Sequence, residues 1–279
     1  MKAKSIKGNS PEDIKVLLHQ SMTDDFKPTL AIVFLSVTQN RNEVCNILNE
    51  SDIVVFGSTA AGEFIDGDLE KESTTILLLD VDKDSFVVHL EERSGKSKIK
   101  TAAEIGKIGL GRFSNPAYLV AAGGSIIDGE TIIKGINGTS GKDTIIFGGI
   151  SGDELRGTEI HLFTNDKSSR DGIIALIFDN DKVKLTGLAT HGWKPIGTVR
   201  TITDCEECKV YTIDNEPALD IMVKFLGISL NDYPGDEIIN NVGKLDPIQL
   251  LRDDGNTIMR AIRNVNTKER SILLAGPVT

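Results

Sequence analysis

Two stretches decide how this chain is read: Ile53-Val54-Val55-Phe56-Gly57-Ser58-Thr59-Ala60-Ala61-Gly62-Glu63-Phe64 and Thr144-Ile145-Ile146-Phe147-Gly148-Gly149-Ile150-Ser151-Gly152-Asp153-Glu154-Leu155. Each is a short apolar run, rich in β-branched residues, that breaks into small residues and glycines and closes on an acid. An unbroken run of this length predicts a strand buried on both faces, because a half-exposed strand alternates apolar with polar. The glycines allow positive φ, or a close approach of backbone to backbone or to a ligand. Exposed N–H groups in such a turn can hold an anion or a polar small molecule. The alternative is a tight turn whose glycines only solve a packing problem.

Upstream of the first stretch, Ser10 is a natural N-cap, Pro11 fits the first helical position, and Glu12 and Asp13 put negative charge in the first turn. Ile14, Leu17, Leu18 and Met22 supply the apolar stripe of that helix. A strand over 30–35 follows, and Asn40-Arg41-Asn42-Glu43 forms a capping box before Val44, Ile47 and Leu48. After the first glycine turn come strands at 74–81 and 85–90, joined by Asp82-Lys83-Asp84.

The pattern then recurs. Thr101-Ala102-Ala103-Glu104 opens a helix through Ile105, Ile108 and Leu110, and Pro116 precedes a strand over 117–122. Gly123-Gly124-Ser125 leads into a helix over 127–136, ended by Asn137-Gly138. The second glycine-turn strand comes next, then strands at 172–178 and 183–189 turning on Asp179-Asn180-Asp181-Lys182. Both halves read helix, strand, helix, strand, strand, strand. A spacing of 91 positions separates Gly57 from Gly148, Phe56 from Phe147 and Glu63 from Glu154. One offset with one element order reads as an internal duplication, with repeats over 10–92 and 101–190. The expected fold is α/β (α+β), with two mixed sheets packed on each other, helices outside, and the glycine turns near the pseudo-twofold interface.

Beyond the repeats, His191-Gly192-Trp193-Lys194-Pro195-Ile196-Gly197 is a turn-rich link that holds the only tryptophan. A hairpin is expected over 199–203 and 209–213 around Asp204-Cys205-Glu206-Glu207-Cys208, then a helix over 217–226. A polar stretch runs through Tyr233-Pro234-Gly235, and strands are expected at 248–252 and 271–275. The sequence given stops at Thr279 just past an apolar strand, which reads as an unfinished domain.

At 279 residues the chain can bury a sizeable core, and 39% hydrophobic with 26% charged residues is ordinary for a globular protein. A net charge of −10 argues against a general nucleic-acid binder and against anionic membrane surfaces. The first residues lack the apolar core of a signal peptide, and no run nears the ~20 residues of a membrane helix. Three cysteines make no disulfide framework. The expected location is the cytoplasm.

The preferred ligand contacts are Ser58, Thr59, Gly62 and Glu63 in one turn and Gly149, Ser151 and Asp153 in the other. Small residues leave room, hydroxyls and amides fix polar groups, and the acids suit an ammonium. Gly124 and Ser125 open a helix whose free N–H groups suit a carboxylate or phosphate, with Asp128 as an alternative charge partner. Neither Walker nor dinucleotide spacing is present, and a plain strand-to-helix turn is the preferred account of them. Among the histidines, His191 beside Trp193 is the first to test as a haem or carboxylate ligand; His89 and His161 are alternatives, and His19 sits on a helix surface. Cys205 and Cys208 form a C-x-x-C, redox-active or half a zinc site, or two incidental thiols at a hairpin tip. Asp80, Asp82, Asp84 and Glu91 have the charges of a calcium loop, but Ser85 replaces its glycine and strands replace its helices. No nucleophile, base and orienting group assemble locally, so no enzyme is expected.

These segments together resemble the FIST family, sensory domains of prokaryotic signalling proteins and some eukaryotic F-box proteins. The resemblance rests on the two glycine turns, on residues 192–197 and on Val210-Tyr211-Thr212-Ile213-Asp214-Asn215-Glu216-Pro217-Ala218-Leu219, and covers most of 30–226. It implies a FIST N-terminal-like ligand-binding domain over 1–215 and the opening of a FIST C-terminal-like region over 216–279. It also implies a small-molecule ligand, with amino acids suggested, and an output partner such as a histidine kinase, chemoreceptor or cyclase. Some members resemble haem-binding nitric oxide sensors, which makes haem on His191 the alternative function. An enzyme of unknown reaction is the third.

Overall fold

Lys2–Gly8 forms the first strand, β1, which the sequence reading left out; of its apolar side chains only Ile6 is buried, so its pattern resembles a charged surface segment. Helix α1 (Pro11–Ser21) starts as expected, with Ser10 Oγ accepting the Asp13 N–H at 3.1 Å. Strand β2 (Leu30–Leu35) leads to α2 (Arg41–Glu50), where Asn40 Oδ1 accepts the Glu43 N–H at 3.3 Å and Asn40 Nδ2 donates back to the Glu43 carboxylate at 2.8 Å. Strand β3 (Val54–Thr59), the hairpin β4 (Glu63–Ile65) and β5 (Asp68–Glu70), and β6 (Thr74–Asp80) follow. A short 3₁₀ turn at Lys83–Ser85, with Asp82 Oδ1 accepting the Asp84 N–H at 3.0 Å, leads to β7 (Phe86–Glu92). Next come α3 (Lys98–Arg112), β8 (Pro116–Gly123), α4 (Gly129–Ser140), β9 (Ile146–Ile150), β10 (Leu162–Phe163), β11 (Ser168–Ser169) and β12 (Gly172–Asp179). This computed structural model describes residues 1–23, 25–124, 129–153, 160–229, 247–252 and 255–278. Its contacts divide the chain into two units, Met1–Leu188 and Ala189–Thr279.

The first unit contains two mixed sheets, ordered β1-β6-β2-β3-β10-β11 and β7-β12-β8-β9. In each, the first two pairings are antiparallel and the third is parallel. The shared unit is therefore strand, helix, strand, helix, strand, hairpin, strand, one strand out of phase with the sequence reading. β7 does not close the first half. It crosses to the second sheet and pairs with β12 as β1 pairs with β6. For the same reason the strand expected at 183–189 is absent. β12 already has β7 on one edge and β8 on the other, so no edge is left for a returning strand. Val183 packs on the intersheet core and Gly187 lies against the Phe147 ring, but residues 183–189 join no ladder.

Burial on both faces explains the continuous apolar runs of β2, β3, β8 and β12. β9, expected to be buried likewise, has Ile146 and Phe147 half-buried and Gly148, Gly149 and Ile150 exposed, because it is the edge strand of its sheet among the described residues. Leu30, Ile32, Val54, Phe56 and Leu79 of the first sheet meet Phe86, Leu90, Ala121, Ile174 and Leu176 of the second in one core between the sheets. Ala31, Val33, Val55, Ile76 and Leu78 point the other way, onto Ile14, Leu18, Val44 and Leu48 of α1 and α2. Tyr118, Val120, Ile173 and Ile177 do the same beneath Ala102, Ile105, Ile132 and Ile136 of α3 and α4. Helices thus lie outside a pair of facing sheets. α3 begins at Lys98 with Ser97 at its cap, not at Thr101, which is buried inside the helix and donates to the Ser97 carbonyl at 3.3 Å. α4 runs past Asn137-Gly138 to Ser140.

The second unit has a sheet of β13 (Ile202–Glu206), β14 (Lys209–Ile213), β19 (Ser271–Leu274) and β18 (Ile262–Asn266), with β15 (Glu216–Pro217) on β14. Helix α5 (Ala218–Leu226) buries Leu219 and Met222 on Val210, Ile262 and Ile272, and Gly227 at φ 64° ends it. β16 (Ile248–Leu251) and β17 (Thr257–Arg260) form a separate hairpin. The β13–β14 hairpin, grouped by sequence with 1–215, pairs through β14 with β19 inside this second unit. The stretch through Tyr233-Pro234-Gly235 lies outside the described residues.

Candidate functional site

The two glycine turns meet. β3 and β9 each run parallel to an inner strand of their sheet, β2 and β8, and both turns leave from their C-terminal ends. Phe56 faces the other sheet, so Ser58, two residues on, faces it as well. Its Oγ lies 2.6 Å from Ser151 Oγ and donates to the Thr59 carbonyl at 2.9 Å. The Gly152 N–H donates to the Thr59 carbonyl at 3.2 Å, and the Ser151 N–H to the Ala122 carbonyl at 2.9 Å. Thr59 is bonded on its other side too. Its N–H donates to the His161 carbonyl at 2.9 Å, and its Oγ1 accepts the His161 N–H at 3.0 Å. Ser58, Thr59, Glu63 and Asp153 are buried, and Ser151 is half-buried. Glu63 accepts from the Ser73 N–H at 3.3 Å and from its hydroxyl at 3.4 Å.

The glycines of these turns divide between the two readings. A Cβ on Gly57 would lie 2.0 Å from the Phe163 ring, and one on Gly152 would lie 2.7 Å from the Ala61 nitrogen. On Gly148, at φ 151°, it would lie 1.9 Å from the Val120 carbonyl oxygen. These three solve packing problems. Gly149 is exposed with open space on its Cβ side, and Gly62 is half-buried. The turns therefore touch along a polar seam rather than framing an open pocket. Two surface depressions lie elsewhere. One, of about 390 Å³, is lined by Lys7, Asn9, Asp13, Val16, Leu17 and Gln20. The other, of about 460 Å³, is lined by His89, Glu91, Glu92, Ser94, Lys96 and Lys167.

Not every expected site residue joins the seam. Gly124, at φ 98°, packs its Cα on Asp171, which Arg93 holds at 2.7 Å; Ser125 and Asp128 lie outside the described residues. His191 and Trp193 are exposed in an extended stretch of the second unit. Among the described residues no group of three or more His, Cys, Asp or Glu side chains is placed to hold a metal ion. Cys205 sits on β13 opposite Val210, Cys208 lies in the turn beyond it, and both thiols are free. Cys45 is buried, which pushes its thiol up to about 11 against the opposing pull of Arg41.

The sequence pointed to His89 and Glu91 only separately, and the structure joins them with Lys96 in one network. His89 Nε2 lies 3.1 Å from Glu91 Oε2, and Lys96 donates to Glu91 Oε1 at 2.5 Å. Burial pushes the Glu91 carboxyl up, but the hydrogen bonds from Lys96 and His89 outweigh it and hold it below the ordinary value. The i, i+2 spacing of His89 and Glu91 on one strand face was the available signal.

No described helix is long and apolar enough to cross a membrane. A 3-phosphoshikimate 1-carboxyvinyltransferase of Natronomonas pharaonis is 27% identical over 158 residues, a match spanning 54% of this chain and 35% of that enzyme. The FIST N domain matches residues 29–216, from just before β2 to the first residue of β15, and so takes in both glycine turns and the seam between them. On that match the chain belongs to the FIST family of sensory domains.

Proposed function

We propose that this chain is a cytoplasmic sensory domain that binds a small polar molecule, an amino acid or related metabolite, at the seam between its glycine turns. The observation that carries the reading is the 2.6 Å contact of Ser58 with Ser151, beside buried Thr59, Glu63 and Asp153. Polar side chains are costly in an interior unless bonded, and here the bonds of Ser58 and Thr59 run from one half of the unit to the other. A guest bearing an ammonium and a carboxylate matches this set: Glu63 and Asp153 suit the first, the hydroxyls and turn amides the second.

The turns touch at the seam, so a guest that enters it parts them. A ligand that binds the parted arrangement better shifts the population towards it, and that shift is the signal handed to a kinase, chemoreceptor or cyclase. The chain is not itself an enzyme in this reading. Its likeness to a carboxyvinyltransferase covers 35% of that protein and does not bring the activity with it.

Thermal shift with a panel of amino acids and related metabolites tests the proposal. A ligand at one hundred times its Kd adds about 2.7 kcal/mol to the native state. The expected result is a raised Tm with at least one compound, abolished in Ser58→Ala/Ser151→Ala. An unchanged Tm with every compound at saturating concentration removes the reading.

A further inference from the structure

The two sheets of the first unit are built alike up to their last strand and then differ. In the first sheet β10 runs antiparallel along the outer edge of β3, with Leu162 opposite Ser58 and Phe163 opposite Gly57. The buried Phe163 ring fills the space a side chain at Gly57 would take. The same edge of β9 carries no strand among the described residues. There Gly149 has open space on its Cβ side and Ile150 is 50% exposed.

The hairpin after β3 carries a surface that complements this edge. Phe64 on β4 and Leu69 on β5 are cross-strand partners, and they are 73% and 74% exposed. Phe64 stands to β3 as Phe163 stands to β9, each the aromatic residue on the first strand of the hairpin that follows a glycine turn. Only residues 60–62 join Thr59 to β4, and the Thr59 carbonyl already accepts from Gly152, just past the end of β9.

We infer that the β4–β5 hairpin has a second seat, antiparallel along the outer edge of β9, where Phe64 covers Gly148 and Gly149 as Phe163 covers Gly57. An unpaired strand edge is a template for another strand, and two exposed large apolar side chains gain by burial. In its present seat the hairpin is held by the bonds from Ser73 to Glu63 and by an exposed ion pair of Lys7 with Asp68. The short connector makes pairing within one chain favoured over pairing with a second copy. Because that connector packs on Gly152, movement of the hairpin opens or closes the seam, and the hairpin acts as its lid. The second seat is a property of the chain with or without a ligand.

Photo-crosslinking with p-benzoylphenylalanine in place of Phe64 tests this on the full chain. The expected products are crosslinks within one chain to Ile146–Ile150. Crosslinks confined to β1, β5 and β6, or found only between two chains, overturn the inference. Hydrogen exchange gives a second readout. The Ser151 N–H faces Ala122 of β8, so by alternation the Gly148 and Ile150 N–H groups face the outer edge of β9. In Phe64→Asp these two amides are expected to exchange at least about tenfold faster than in the parent, with β2 unchanged. Equal rates in the two proteins overturn it as well.

Discussion

Gly148 and Gly149 are neighbours in β9 with opposite requirements. Gly148 has positive φ and a carbonyl where its side chain would be; Gly149 faces open space. Gly148→Ala is expected to cost about 3 kcal/mol or more, and Gly149→Ala to stay within about 0.5 kcal/mol, both read from urea midpoints. Gly57→Ala is expected to cost about 2 kcal/mol, part of it recovered in Gly57→Ala/Phe163→Leu, because the obstacle is a ring and not backbone. Sequence identified these glycines but could not sort them, since the deciding atoms, in Phe163 and Val120, are distant in the chain. The cysteines separate by burial: iodoacetamide at pH 8 is expected to label Cys205 and Cys208 in the native protein, and Cys45 only after unfolding, as mass spectrometry of the peptides reads. Glu91 supplies a pH dependence. Its folded-state value is lowered, so its contribution is present above the unfolded value of about 4.3 and is lost as pH falls through the folded one. The stability gap between the parent and Glu91→Gln, measured by denaturant titration, is expected to narrow as the pH is taken down through that range.

At the scale of elements, legibility followed burial. β2, β3, β8 and β12 were readable because strands between a sheet and a helix layer carry unbroken apolar runs, whereas β9 carries such a run at a sheet edge with its last three residues exposed. α1 and α2 were readable because Ser10 and Asn40 cap them with local bonds. β1 was not, because three of its seven residues are lysines and Ile6 is its only buried apolar side chain. Missing it shifted the phase of the repeat by one strand and created an expected strand at 183–189 for which β12 has no free edge. The start of α3 was misplaced because a Thr-x-x-Glu pattern inside a helix matches a capping box, whereas Ser97 at the true cap position makes no side-chain capping bond. α3 and α4 also show what spacing alone hides. A Cβ on Gly135 would lie 2.5 Å from Ala102 Cβ and 2.7 Å from the Ile99 carbonyl, so the two helices touch backbone to side chain. Gly135→Ala is expected to destabilise the unit by about 2 kcal/mol, measured by chemical denaturation, despite the better helix propensity of alanine.

For the whole molecule, the repeated turn was the most informative signal in the sequence, and the facing turns of one unit are where it leads. What it did not disclose is that the turns touch, because the closure depends on Gly152 meeting Ala60 and Ala61 across the two halves. The candidates in the second unit, His191 and Trp193, followed from residue type alone, and both are exposed. The central claim is that a small polar guest enters the seam. Backbone amide NMR of the full chain, titrated with the compound giving the largest thermal shift, tests it most directly. The account predicts saturable shifts concentrated at Ser58, Thr59, Ser151 and Gly152, with smaller changes through β4. Shifts centred on the depression around His89 and Lys96, or confined to Ala189–Thr279, would contradict it.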